Sequence, residues 1–264
     1  MTPQYSAAFN DLREGIRNWP IWARLGWQEV KRRYRRTVFG PFWATISIGM
    51  FIGGMSFIWA PLFNTSVSTY LPWLTTGLVS WALISSLINE GTGTYTAGVS
   101  IITTLNFPYS ILNFMVVWRN IIVFFHNVVI VVVVVLVLKV PITFETLLIV
   151  PGLAIIAVNG IWITMILGMV SARYRDVPQL VGNLTQILMF VTPVFWLTAS
   201  LGDRGHKVTQ GNYVFHMVEI LRQPMLGQSP TLMNYAVTIV GAFVGLLVAF
   251  FLFALFRRRI PYWL

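Results

Sequence analysis

Apolar runs long enough to cross a membrane dominate this chain, and short polar punctuation separates them. From Val38 to Pro61 there is no charged residue, and the run about 39–60 is followed by others about 71–90, 112–138, 147–171, 178–198 and 235–256. Each approaches or exceeds the roughly 20 residues a helix needs to cross about 30 Å of hydrocarbon. Spanning elements must satisfy their own backbone, and runs of this length do so as helices. The pattern predicts an all-α integral membrane fold with six transmembrane helices. Gly40-Pro41 opens the first run, where proline's missing N–H is harmless. The run Val128 to Val135 is low-complexity, lipid-facing filler.

The polar stretches predict smaller elements. Residues 1–18 read as a polar lead-in. From Asn18 to Arg36, Trp19, Ile21, Trp22, Leu25 and Val30 interleave with Arg24, Glu29 and a basic cluster. Trp beside cations suits an amphipathic helix lying in the headgroup plane, with an ordinary polar tail as the alternative. The first 38 residues are too polar, and too long before the apolar run, for a cleaved signal peptide. The segment 199–234 is too short for a domain and predicts short re-entrant or interfacial helices before the last span. One transmembrane domain fills the chain: a tail and interface helix over 1–38, a bundle over 39–256, and a tail over 257–264.

Charge orients this bundle. Only 10% of residues are charged, against about a quarter in soluble domains, and the net charge of +10 is unevenly placed. Lys31, Arg32, Arg33, Arg35 and Arg36 abut the first span, and Arg257-Arg258-Arg259 closes the last. With both termini inside and six crossings, thirteen cations fall on the inner side and four on the outer. Lys and Arg are retained on the cytoplasmic side, so both termini are expected in the cytosol. The membrane-length run behind the basic cluster argues against nucleic acid as its partner. The chain lacks cysteine, which removes disulfides, thiolate metal sites and cysteine nucleophiles. No metal ligand set or catalytic group suggests itself.

Several stretches are candidates for function. The inner loop Glu90 to Ile111 has no cation, turns apolar at Val99 to Leu105 and reaches Asn106-Phe107-Pro108. A short helix ending before that proline is expected, and its uncharged surface suits a protein partner or the chain's own bundle. Arg173-Tyr174-Arg175-Asp176 forms a charged turn, which topology marking and helix capping would also explain. Within the spans, Arg119 and His126 are seven apart and share a face. A buried Arg needs a partner, and Glu90 lies at a compatible depth. A packing ion pair is favoured over a proton path.

Together these pieces resemble the membrane subunit of an ABC type-2 polysaccharide exporter, the class that moves O-antigen, capsule and teichoic-acid chains. The resemblance covers nearly the whole chain: the basic interface helix, NFPYSIL, ARYRDVPQLVGNLTQILMFVTPVFW, and the segment ending in LRQPML. The pairing of ARYRD with TPVFW is its specific part. It implies a homodimer with a continuous pore in the bacterial inner membrane and two separate ATP-hydrolysing subunits. ATP and Mg would then sit on those partners, with no cofactor on this chain and no catalytic residue.

It also implies that the 91–111 loop couples to the ATPase through Ile102, Leu105, Asn106, Phe107, Pro108 and Tyr109, joined by Arg173, Arg175 and Asp176. Tyr109 stands where relatives commonly have Arg. For a lipid-linked glycan as cargo, Phe51 and Trp59 of the first span and Phe190, Phe195 and Trp196 of the fifth are the expected channel aromatics, because pyranose faces stack on rings. Headgroup anchoring is the competing role of such rings. A secondary transporter or channel, needing no ATPase, is the alternative from another class. A membrane transferase is disfavoured, since paired acids, a His/Asp cluster and a phosphate loop are missing.

Overall fold

The computed structural model describes residues 3–33, 35, 42–104, 107–198, 202 and 208–264, and every regular element among them is helical. Two helices precede the bundle, α1 (Pro3–Arg17) and α2 (Trp19–Arg33). The bundle runs α3 (Phe42–Leu62), α4 (Val67–Thr92), the short α5 (Thr94–Ala97) and α6 (Val99–Thr104), then α7 (Ser110–Leu138). After a 3-10 turn at Phe144–Leu148 come α8 (Ile149–Arg173), α9 (Val177–Val191), α10 (Tyr213–Met225), α11 (Leu232–Phe256) and the short α12 (Ile260–Trp263).

Among the described residues, five stretches are long and apolar enough to cross a membrane: Thr45–Leu62, Val67–Thr92, Ser110–Leu138, Phe144–Arg173 and Leu232–Trp263. The run expected over 178–198 forms a shorter helix of 15 residues, which covers about 22 Å at 1.5 Å per residue. Its stop is set by Thr192-Pro193, because a residue before proline resists the α region, and Thr192 is extended with ψ 134°.

At the centre lies α4, packed against α3, α7, α8, α9 and α10. Its buried face is rich in small hydroxyl residues, and these satisfy themselves on the preceding turn. Thr76 and Ser80 donate to the carbonyls of Pro72 and Thr76 at 2.9 and 2.8 Å. Small side chains with internal hydrogen bonds let neighbouring helices approach closely in lipid. By contrast, α3 buries only one stripe, including Ile52, Ser56 and Ala60, and leaves Met50, Phe51, Phe57 and Ile58 exposed.

The lead-in expected over residues 1–18 is instead a docked helix. Ala8, Asp11 and Gly15 of α1 are buried against α7 and α11. A Cβ at Gly15 would collide with Ser110 Oγ, so glycine is what allows α1 to seat there. Both described ends of the chain thus lie at one end of the bundle. The opposite end carries α10, a mostly buried helix capped by Asn212, whose side chain accepts from Val214 N and Phe215 N.

Candidate functional site

An open, polar groove of about 470 Å³ lies between α4 and α9. Trp81, Ser85 and Asn89 line it from α4, and Gln179, Asn183, Gln186 and Met189 from α9. Their spacings of three and four put each set on one helical face. No charged residue lines this groove among the described residues. Amides, two hydroxyls and one indole give both hydrogen-bond donors and acceptors, so its chemistry suits a neutral ligand that carries hydroxyl groups. The sequence reading passed over these residues, although the amide stripe 179, 183 and 186 was visible in it.

Above the groove, at the end away from the termini, the sequence-selected aromatics take different positions. Phe195 is 7% exposed, and Trp59 and Phe190 meet it edge-on at centroid distances of 5.5 and 5.6 Å. Phe190 is 67% exposed. Trp196 donates its indole N–H to Phe190 O at 2.9 Å, and Tyr70 donates to Phe195 O. The structure thus joins Trp59, Phe190, Phe195 and Trp196 in one cluster, with Phe195 as its buried support. Phe51 lies apart on the exposed stripe of α3.

At the other end, Glu90 meets three partners. Arg119 donates to Glu90 Oε2 from Nε and Nη2 at 3.1 and 2.7 Å, and Asn120 Nδ2 reaches the same oxygen at 2.9 Å. Arg33 of α2 donates to Glu90 Oε1 at 2.9 Å. Arg119 also pairs with Glu29 of α2. The cluster therefore fastens α2 to α4 and α7. His126 takes no part in it: its Nδ1 lies 2.8 Å from Ile122 O of its own helix.

A second clamp holds α1. The Asp11 carboxylate accepts from Tyr109 N and Ser110 N, both at 3.0 Å, and from Arg257 Nε at 2.6 Å. A carboxylate at a helix N-terminus meets unpaired N–H groups and the positive end of the helix dipole. Here the capping group is supplied from 99 residues away. Arg257 also stacks over the Tyr109 ring at 4.9 Å. Nearby, Tyr95 is fully buried, and desolvation pushes its hydroxyl well above the ordinary tyrosine value.

The loop residues divide by direction. Ile102 is buried beside Tyr95 and Leu112, whereas Val99, Ser100, Thr103 and Thr104 of α6 are exposed. Phe107, Pro108 and Tyr109 are half-buried. Leu105 and Asn106 lie outside the described residues. In the turn after α8, Arg173, Arg175 and Asp176 are all exposed, with Arg173 over the rings of Tyr174 and Trp263 at 5.1 and 5.6 Å.

These helices, wrapped round a central α4 and bearing an uncharged groove, define a multi-pass membrane protein. No family model matches the chain. It is 22% identical over 184 residues to the O-antigen export system permease protein of Myxococcus xanthus, an alignment that covers 68% of this chain and 69% of that relative. The resemblance to a polysaccharide-export permease that the sequence motifs carry is thereby borne out.

Proposed function

We propose that this chain is the non-enzymatic permease subunit of an ATP-driven exporter, moving a lipid-linked polysaccharide, most simply O-antigen, across the bacterial inner membrane. The similarity to an O-antigen export permease over 68% of the chain carries this reading. Capsule and teichoic-acid chains are cargoes of the same chemical kind. In this reading α9, extended by Thr192 to Trp196, makes the sixth crossing, and both termini face the cytosol. Two copies pair through the exposed stripes of α3 and α9, so that their α4–α9 grooves face a shared pore. The glycan slides past amides, hydroxyls and the Trp59–Phe190–Trp196 rings. Stacked rings hold a polymer loosely, at roughly 1–3 kcal/mol each by analogy with bases on single-strand-binding proteins.

The cytosolic surface for two nucleotide-binding ATPase subunits is formed by the exposed face of α6, the half-buried Phe107, Pro108 and Tyr109, and the Arg173–Asp176 turn. ATP and Mg belong to those partners. Purification of the tagged chain from its native membrane tests the reading. A co-purifying ATPase, with loss of surface glycan when the chain is deleted, is the expected outcome. Gradient-driven transport by the purified chain alone would overturn it. Single-cysteine labelling at Thr103 and Gln228 reports orientation, with Thr103 expected on the cytosolic side and Gln228 on the outer side.

A further inference from the structure

A second cavity, of about 550 Å³, lies beneath α10 at the end away from the termini. Its size falls within the range of small-molecule sites, about 300–1,000 Å³. Trp73, His216, Glu219, Arg222, Gln223 and Asn234 line it, which brings together α4, α10 and the start of α11. Arg222 is the central feature. It is 1% exposed, stacks over Trp73 at 4.2 Å, and donates from Nη1 to Glu219 Oε1 at 2.7 Å. Its Nη2 donates to the carbonyls of Pro193 and Val194 at 2.8 and 3.2 Å, and Gly77 leaves the room this requires. Nε has no acceptor among the described residues. A buried guanidinium N–H left unpaired is costly.

The lining selects by charge. Glu219 and Arg222 neutralise each other, so an incoming anion meets a carboxylate and an incoming cation meets a guanidinium. What fits is an uncharged molecule with interleaved donors and acceptors and an apolar face. The polar groups are held in place: His216 lies 2.8 Å from Asn234 Oδ1 and 3.1 Å from Gln210 O, and Gln223 Nε2 donates to Glu219 Oε2 at 2.5 Å. The cavity also shares its wall with the aromatic cluster, because the backbone that receives Arg222 at Pro193 and Val194 continues into Phe195.

Resting on the exporter reading, we propose that this cavity binds one neutral pyranose unit of the glycan, a holding point beside the outer exit of each subunit. Saturation-transfer NMR on the full chain in nanodiscs tests it. The probes are the methyl glycosides of glucose, galactose, mannose, rhamnose and N-acetylglucosamine, with inorganic phosphate as the anionic control. At least one sugar should receive saturation from the wild type, and phosphate should not displace it. Ser229→Trp, at an exposed rim position, should abolish the transfer while the protein remains folded and membrane-inserted. Gln223→Ala should weaken it about tenfold, the expectation for a lost hydrogen bond. Transfer to none of the five sugars, equal transfer in Ser229→Trp, or displacement by phosphate would overturn the proposal. The outcomes separate from those for the exporter: absent transfer with an intact ATPase partner removes the pocket alone, and sugar transfer without an ATPase removes the exporter alone.

Discussion

Arg119 and Glu90, on the long helices α7 and α4, meet through two hydrogen bonds of 3.1 and 2.7 Å to a single carboxylate oxygen. The bond is asymmetric in what it leaves behind. Loss of Glu90 leaves Arg119 with Glu29, whereas loss of Arg119 strips a partner from two carboxylates at once. The cluster is partly buried and Glu90 keeps Arg33 and Asn120, so Arg119→Met is expected to destabilise by about 1.5–3 kcal/mol, the range for hydrogen bonds to charged groups, and Glu90→Gln by less. The double variant should cost less than the sum. Thermal unfolding in detergent decides this, and strictly additive losses would mean that the two groups act independently.

Asp11 offers a sharper test, because it caps α7 and holds Arg257 with one carboxylate. Asp11→Ala leaves two backbone N–H groups and a guanidinium without it, and should destabilise by about 3–5 kcal/mol. Asp11→Asn keeps an acceptor for one N–H and should fall between. If both variants melt with the wild type, the clamp contributes nothing.

The inward turn of Ile102 changes where the coupling surface should be probed. A charge at Ile102 is expected to lower membrane abundance, since it would be buried without a partner. Thr103→Glu or Thr104→Glu on the exposed face should leave abundance intact and uncouple ATP hydrolysis from export. Normal coupling in both threonine variants would move the interface elsewhere.

The aromatic residues separate in the same way. Phe195→Ala empties a buried site and should cost about 3–5 kcal/mol, seen as lost abundance. Phe190→Ala removes a ring that is already two-thirds exposed, so abundance should hold while surface glycan falls. Asn183→Leu with Gln186→Leu should likewise lower export at constant abundance. Parallel loss of protein and glycan in these last variants would make the residues structural.

The spanning helices were legible because apolar length is a local signal, and observed bounds such as Ser110–Leu138 against the expected 112–138 differ by two residues at one end. The site was legible only where chemistry demanded a partner, as with Arg119 in an apolar run. Arg222 gave no such signal, because a lone cation in a polar connecting segment is indistinguishable from a solvated charge. Only the fold of α10 over α4 buries it. Docking of α1 was equally hidden: Asp11 and Gly15 look like ordinary polar-helix residues until Ser110 and Arg257 are brought to them. The early stop of α9, by contrast, was written in Thr192-Pro193 and was passed over.

The clamp at Asp11 also bears on how the protein is made. Translation runs from the N-terminus, so Asp11 leaves the ribosome long before Ser110, and Arg257 follows 246 residues behind it. The helix α1 is thus made before both of the segments that seat it. Once α7 is made, Asp11 can cap its N-terminus through Tyr109 N and Ser110 N, and the pairing with Arg257 is added only when α11 has followed. Closure of the contact records that the last long helix has arrived, and a chain interrupted before Arg257 cannot make it. The seat of α1 is therefore assembled in two stages, the cap on α7 first and the ion pair with Arg257 second.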